Sequence, residues 1–295
     1  MIEVKGMMSA RIERVARMAM SLGQQHLEPY GSYKSRHDFT QRQLMSCLIL
    51  KSYLKTSYRG LIDWLSGHSG LREILGLEEK LPHYTALQKF SARPGVGEVA
   101  EAMVARIGRA ALRREGAKAT VAIDSTGLEP TGASAYYVSR TGRKCSKFLK
   151  VSLSVVCGSI LPLGLVLDWG PNNDKQQAFN LLEKSFDAAG EHLPAQLLAD
   201  AGYDADWLHS VCREVWGVKS WIKPVVQRAD GTVGGYFRPK MTAKALKTNG
   251  YGRRWHIESF FSGLKRFCGS TIAARLDICQ RNEAIFQVLA YALHR

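Results

Sequence analysis

Residues 119–126 read Ala-Thr-Val-Ala-Ile-Asp-Ser-Thr, a short apolar run that ends in an aspartate. A run of this kind predicts a buried β-strand. Upstream of it no strand pattern of comparable strength occurs, whereas downstream of it strand and helix patterns alternate. We therefore expect a helical N-terminal region over residues 1–118 and an α/β domain with a mixed sheet over residues 119–295.

The upstream region shows helical patterns. Apolar residues recur between Val96 and Ala111 at the three- and four-residue intervals of an amphipathic helix. Thr40 is followed three residues later by Gln43, which is the spacing of a capping box at a helix start. Residues 11–22 are also compatible with a helix.

The downstream region begins with a predicted hairpin. Leu149, Val151, Leu153 and Val155 alternate with polar residues, and Cys157-Gly-Ser159 then leads into a second apolar run over 160–167. The remaining patterns predict helices over 175–189, 206–215 and 254–265, strands over 196–199 and 219–222, and a basic insertion over 224–250.

Three carboxylates stand out in this order of elements. Asp124 and Asp200 each follow a predicted strand directly, where a side chain can leave the core. If the two strands are parallel neighbours, both carboxylates emerge at one sheet edge, and the late helix can bring Glu258 beside them. Three such charges repel one another unless divalent cations neutralise them, and hard oxygen ligands suit Mg²⁺. Taken singly, each acid is more often a turn, cap or solvated residue.

The late helix carries a spaced set of polar residues, Tyr251-x2-Arg254-x3-Glu258-x6-Lys265. On a helix Arg254, Glu258 and Lys265 share one face, so two cations flank a carboxylate. The plain alternative is an ordinary ion pair between Arg254 and Glu258.

This spacing resembles the Y-R-E-K signature of DDE transposases from bacterial insertion sequences, particularly insertion-sequence families four and five. Residues 198–203, Leu-Ala-Asp-Ala-Gly-Tyr, resemble the second-aspartate motif of these proteins, and residues 122–126 resemble the first. The resemblance implies an RNase H-like catalytic domain. It also implies that Asp124, Asp200 and Glu258 are the catalytic residues and bind two Mg²⁺ ions, with Mn²⁺ as an accepted substitute.

By the same resemblance, the protein is a transposase. It would bind the terminal inverted repeats of a mobile element, cleave at the element ends and join the 3′-hydroxyls to target DNA, acting as a homo-oligomer on double-stranded DNA. The N-terminal helices would recognise the ends. The DNA-binding residues expected are Tyr251, Arg253, Arg254, Lys265, Arg266, Arg143, Lys144 and Lys147.

Charge points to a polyanionic partner independently of the resemblance. The chain has 41 Lys and Arg against 26 Asp and Glu, a net charge of +15. Eleven of the bases, with two acids, lie in 219–266, and five more lie in 136–150 without an acid. Aromatic residues lie among these bases, a mixture that contacts phosphates and stacks on bases: Tyr136, Tyr137, Trp221, Tyr236, Phe237, Tyr251 and Trp255.

Other classes are disfavoured. No apolar stretch long enough for a membrane span and no signal peptide is recognisable, so we expect no membrane partner and a cytoplasmic protein. The resemblance implies that the protein is bacterial and associated with the nucleoid. The six cysteines form no C-x-x-C pair, which argues against structural zinc and a disulfide framework.

Two alternatives remain open: a metal-dependent nuclease that does not join ends, and a catalytically inactive DNA-binding protein derived from an element. An RNA-binding protein is a third, although the aromatic-rich sheet motif of the common module is missing. Trp255 is interpreted as a core residue. Four other acids near the motifs are interpreted as helix-start or loop residues: Asp168, Asp174, Asp204 and Asp206.

Overall fold

The computed structural model describes residues 2–130, 147–226 and 231–295, with side chains from residue 10 onward. These residues form two compact units: Met1–Met103 with Leu264–Arg295, and Val104–Gly263. The C-terminal residues thus pack with the N-terminal ones in the first unit. The functional division into 1–118 and 119–295 is a different division of the chain and stays a prediction.

Helices make up most of the first unit and flank the sheet of the second. Thr40 caps α2 as its spacing predicts, because its hydroxyl accepts from Gln43 N while the Gln43 side chain accepts from Thr40 N at 2.7 Å. Along the chain the helices are α1 Ile2–His26, α2 Gln41–Tyr53, α3 Tyr58–Ser66, α4 Ser69–Leu75, α5 Tyr84–Ser91, α6 Val96–Glu115, α7 Asp174–Ala189, α8 Asp206–Ser210, α9 Ala243–Thr248, α10 Trp255–Cys268 and α11 Asp277–His294.

The second unit is built on a mixed sheet. Its strands are β1 Thr120–Pro130, β2 Phe148–Val156, β3 Leu161–Gly170, β4 Gln196–Ala199 and β5 Lys219–Ile222. They lie in the order β3-β2-β1-β4-β5. The predicted hairpin is confirmed, because β2 pairs antiparallel with both β1 and β3. β4 pairs parallel with β1 and with β5.

The core of the second unit lies between the sheet and α7. This helix packs on β3 and β2, and its Leu181, Leu182 and Phe186 are buried with residues of β1 and β4. The helix approaches closely at Gly164 of β3, where Ser185 Oγ lies 2.7 Å from Ser154 Oγ and Gly164 N donates to Ser154 Oγ at 2.9 Å. A side chain at Gly164 has no room, since an added Cβ would lie 2.5 Å from Ser185 Oγ.

Two expectations about elements are wrong. Asp124 does not end its strand, because β1 continues for six more residues and Asp124 pairs with Leu153 of β2. The pairing of β1 with the shorter β4 does stop at Ile123, so it is this parallel pairing, and not the strand, that ends before Asp124. The segment 206–215 is also not one α-helix, since α8 is followed by a π-helix over Val211–Val215. Within the described residues no helix is long and apolar enough to cross a membrane.

Candidate active site

Neighbouring parallel strands bring Asp124 and Asp200 together. Ile123 of β1 is the register partner of Ala199 of β4, so each aspartate directly follows a paired residue. Adjacent strands are about 4.8 Å apart, so the two aspartate residues are neighbours at one point of the sheet. The predicted juxtaposition of the two strands is confirmed.

Asp124 is held on both sides of its carboxylate. Its Oδ1 accepts from the N–H of Ser125 at 2.8 Å, and its Oδ2 lies 3.3 Å from Arg254 Nη1. Burial raises the pKa of Asp124 to about 6, and the nearby Asp200 and Asp174 carboxylates add to that rise. The Ser125 N–H and the Arg254 guanidinium act in the opposite direction and only partly offset it.

Arg254 links Asp124 to Glu258. Its Nη2 donates to Glu258 Oε1 one turn further along the chain, which confirms the ion pair expected from their spacing. Tyr251 fixes the start of this segment, because its hydroxyl donates to the Ala199 carbonyl at the end of β4 at 2.9 Å. The Glu258 side chain is 53% exposed. The guanidinium therefore joins two of the three predicted acids, Asp124 and Glu258. Among the described residues no three His, Cys, Asp or Glu side chains form a group that could hold a metal ion.

Asp200 begins a tight turn. Its side chain accepts from Gly202 N at 2.9 Å and caps the 3₁₀ turn over Ala201–Tyr203. Gly202 leaves space for two carboxylates, because an added Cβ would lie 3.0 Å from Asp200 Oδ1 and 3.0 Å from Asp174 Oδ2. The glycine of the Asp-x-Gly-Tyr motif thus lets Asp174 approach Asp200.

Asp174 is a site residue that the sequence interpretation missed. It does start α7 as expected, but its Oδ1 also accepts from Ser125 Oγ at 2.6 Å and lies 2.6 Å from Lys150 Nζ. Lys150 is 4% exposed, although it is one of the polar residues that alternate with apolar ones along β2. A lysine inside a strand that is buried on both faces needs a partner, and this is the signal that could have identified the pair.

Tyr203 completes the surroundings of the acids. It is 1% exposed, and its hydroxyl makes no hydrogen bond of ordinary length to the described residues, although the Ser125 side chain lies near enough to lower its pKa. Burial raises its pKa well above the usual value, and the charges of Asp174, Asp124 and Asp200 raise it further, in that order. The hydroxyl therefore lies within the field of all three aspartates.

The remaining acids near the site are structural. Asp204 forms a buried ion pair with Arg238 through both of its oxygens. Asp206 starts α8 and accepts from three consecutive backbone N–H groups, those of residues 236–238. Asp168 accepts from the side chains of Asn172 and Gln177. These acids hold loops in place, as expected for loop and helix-start residues.

Trp255 is not a core residue. It is 55% exposed and stacks on His256, whose ring lies 4.2 Å away. The prediction was wrong because α10 buries a different face, formed by Ile257, Phe260 and Leu264. A large aromatic ring is thus presented to solvent three residues before Glu258.

The predicted DNA-binding residues are distributed over both units. In the second unit Arg253 and Lys147 are exposed, and Arg253 Nη2 lies 3.4 Å from Gln196 Oε1. In the first unit Lys265 is half-buried and Arg266 is exposed near the end of α10. Arg143 and Lys144 lie outside the described residues.

Comparison with models of known protein families shows which family the chain belongs to. A model of the transposase DDE domain matches residues 115–293, a range that contains Asp124, Asp200 and Glu258. The chain belongs to the transposase DDE domain family. Members of this family generally use divalent metal ions. The transposase domain thus covers β1 to α11, and the membership indicates an enzyme of DNA transposition.

Among solved structures, the transposase resembles one described as a cryo-EM structure of the piggyBac transposase synaptic complex with hairpin DNA. The two chains are 8% identical with a TM-score of 0.42, and the match covers 96% of this chain and 72% of the other. No curated protein sequence matches the chain.

Proposed function

We propose that this transposase binds the terminal inverted repeats of its mobile element, cleaves the phosphodiester bonds at the element ends and joins the 3′-hydroxyls to target DNA. The observation that carries the proposal is the placement of Asp124 and Asp200 after register partners on two parallel strands. Arg254 ties Glu258 to the same place. Cleavage and joining are both attacks of an oxygen nucleophile on a phosphodiester, so one site serves both steps.

The second unit is proposed to be an RNase H-like domain. Two features support this: the strand order β3-β2-β1-β4-β5, and the combination of an antiparallel three-strand meander with two parallel strands. From β1 the chain adds β2 and β3 on one side of the sheet and then β4 and β5 on the other side. The site lies between β1 and β4, where this change of side occurs. Ligands of α/β sheets commonly bind at such a junction.

Mg²⁺ is the proposed cofactor, with Mn²⁺ as a substitute. The donor set consists of carboxylate oxygens, which Mg²⁺ prefers. The pKa of Asp124 is raised chiefly by burial, and the charges of Asp200 and Asp174 add to that rise, so a bound cation would relieve their repulsion. Asp124, Asp200 and Glu258 would hold the metal. When bound, it supplies activation of the attacking water or 3′-hydroxyl and stabilisation of the leaving oxygen.

Arg254 has a specific part in this proposal. It now neutralises Asp124 and Glu258, and its planar guanidinium is also suited to a phosphate. We expect it to turn from the carboxylates to a phosphate next to the cleaved bond when DNA and metal are present. Tyr251 keeps the turn that carries Arg254 against the end of β4.

The proposal also covers the contacts with DNA and the active form of the protein. Basic side chains, among them Arg253, Lys147, Lys265 and Arg266, would bind phosphates of double-stranded DNA, while residues 1–118 recognise the element ends. The 224–250 insertion would also contact DNA, and α9 presents Lys244 and Lys247 to solvent there. The active form is a homo-oligomer on DNA in the bacterial cytoplasm, associated with the nucleoid.

The test is cleavage and strand transfer on a labelled duplex that carries the inverted repeats flanking the gene. We expect Asp124→Asn, Asp200→Asn and Glu258→Gln to lose Mg²⁺-dependent cleavage by about a thousandfold or more and to retain end binding. Asp187→Asn, the same change at an exposed position on α7, should cleave like the wild type. Retained cleavage in any of the three site variants removes that residue from the site.

The same assay separates the alternatives. Cleavage by the wild type without joining identifies a nuclease. Tight end binding without cleavage identifies an inactive DNA-binding protein derived from an element.

A further inference from the structure

A buried ion pair lies directly beside the proposed metal site. Lys150 and Asp174 are 2.6 Å apart, and the Lys150 ammonium also donates to the Asn172 carbonyl at 2.8 Å. The lysine side chain is 5% exposed and the aspartate side chain 28%. A buried pair of this kind seldom stabilises a fold more than apolar residues of similar size would, so its presence calls for another explanation.

The two oxygens of Asp174 have different surroundings. Oδ1 accepts from Ser125 Oγ at 2.6 Å and also faces Lys150, so both contacts fix the carboxylate through one atom. Oδ2 lies against Gly202, on the side where Asp200 Oδ1 also approaches. Metal-binding carboxylates are commonly held in this way, with hydrogen bonds that orient the group toward the ion.

The serine connects Asp174 to the first predicted acid. Ser125 donates its hydroxyl to Asp174 and its backbone N–H to Asp124 Oδ1 at 2.8 Å. Asp174 is thus linked to Asp124 through one residue and approaches Asp200 across Gly202. The three aspartates thus lie around Ser125 and Gly202. As the side chains stand they do not form a group that could hold a metal ion, so a cation would have to draw them together. Only two of the three belong to the motifs that the sequence displays.

Tyr203 is an independent indication that this place receives a ligand. Its hydroxyl is buried, makes no hydrogen bond of ordinary length to the described residues beyond its approach to the Ser125 side chain, and lies in the field of Asp174, Asp124 and Asp200. Buried hydroxyl groups are normally hydrogen-bonded, so an exception requires an explanation. A hydrated cation between the aspartates would supply water molecules as partners for it.

We propose that Asp174 is a fourth carboxylate of the metal site, anchored by Lys150 and Ser125 through Oδ1 and offering Oδ2 to a divalent cation. The inference rests on the proposed function, which assigns the metal to Asp124, Asp200 and Glu258. Lys150 acts as the counter-cation that keeps the Asp174 carboxylate oriented while the metal is absent.

The test measures metal binding without DNA and without turnover. Mn²⁺ is titrated into the full-length protein, and free Mn²⁺ is followed by electron paramagnetic resonance for the wild type, Asp174→Asn and Asp200→Asn. We expect both substitutions to weaken Mn²⁺ binding by about tenfold or more. The asparagine keeps an oxygen that can accept from Ser125 and Lys150, so the change removes mainly the charge.

Asp204→Asn is the matched control. It makes the same substitution in another buried ion pair of the same unit, with Arg238 as the partner. It should lower the melting temperature and leave the Mn²⁺ affinity unchanged. An equal loss of Mn²⁺ affinity in this control would show a general loosening of the unit and would overturn the assignment of Asp174.

A double variant covers the case in which Asp174→Asn does not fold. Lys150→Met with Asp174→Leu removes both charges and leaves no unpaired ion in the core, a replacement that proteins often tolerate. It should fold and bind Mn²⁺ about tenfold more weakly. Wild-type Mn²⁺ affinity in this double variant, or in Asp174→Asn, overturns the inference. If Asp200→Asn binds Mn²⁺ weakly in the same experiment, the proposed function is left intact. Wild-type affinity in Asp200→Asn contradicts the proposed metal site itself.

Discussion

Asp124 shows how one residue can couple the site to stability. Its pKa is raised from 3.8 to about 6, chiefly by burial and then by the charge of Asp200. Because the folded-state pKa lies above the unfolded one, the protonated carboxyl favours the folded state. This contribution is complete below about pH 4 and is lost as the pH rises through about 6. The metal-free transposase should therefore lose on the order of 2 kcal/mol between these pH values through Asp124 alone.

Urea unfolding of the metal-free protein between pH 4 and 7.5 measures this effect. Asp124→Asn cannot titrate, so its free energy of unfolding should rise relative to that of the wild type as the pH rises. Asp187→Asn, at an exposed position, should follow the wild-type curve. Parallel curves for the wild type and Asp124→Asn would mean that Asp124 does not have a raised pKa.

At the scale of elements, sequence patterns predicted the features that depend on neighbouring residues, such as helix caps and short strands. The Thr40 cap and the strand over Gln196–Ala199 follow from neighbouring residues, and both are confirmed. The length of β1 does not follow from them, because its polar second half is a strand only through pairing with β2. The role of Asp174 was likewise hidden, since Ser125 and Gly202 reach it from distant parts of the chain.

The contact between α7 and β3 yields a prediction at this scale. A methyl group at Gly164 would lie 2.5 Å from Ser185 Oγ and 3.1 Å from Ser185 Cα, so Gly164→Ala must push α7 away from the sheet. We expect a loss of about 1–3 kcal/mol in the free energy of unfolding. Gly252→Ala is the control, because nothing lies within 4 Å of an added Cβ there. Urea unfolding of both variants measures the difference, and equal stability would contradict the close packing of α7.

At the scale of the whole molecule, the net charge of +15 overstates the charge available to a partner. Arg238 is bound to Asp204, Lys150 to Asp174 and Arg254 to two acids, so these bases neutralise the protein's own carboxylates. Exposed bases are the ones that can release counterions from DNA. Position in the fold, and not membership of a basic segment, therefore decides which bases contribute to binding.

Salt dependence of DNA binding tests this distinction. For the metal-free wild type, log Kd for a duplex carrying the element ends should rise linearly with log salt concentration. Arg253→Ala and Arg266→Ala, both at exposed positions, should each reduce that slope by about one. Arg275→Ala removes an exposed charge outside both the basic segments and residues 1–118, and should leave the slope unchanged. If all three variants lower the slope equally, the binding is a general response to net charge, and the basic segments around α10 do not form a specific DNA contact.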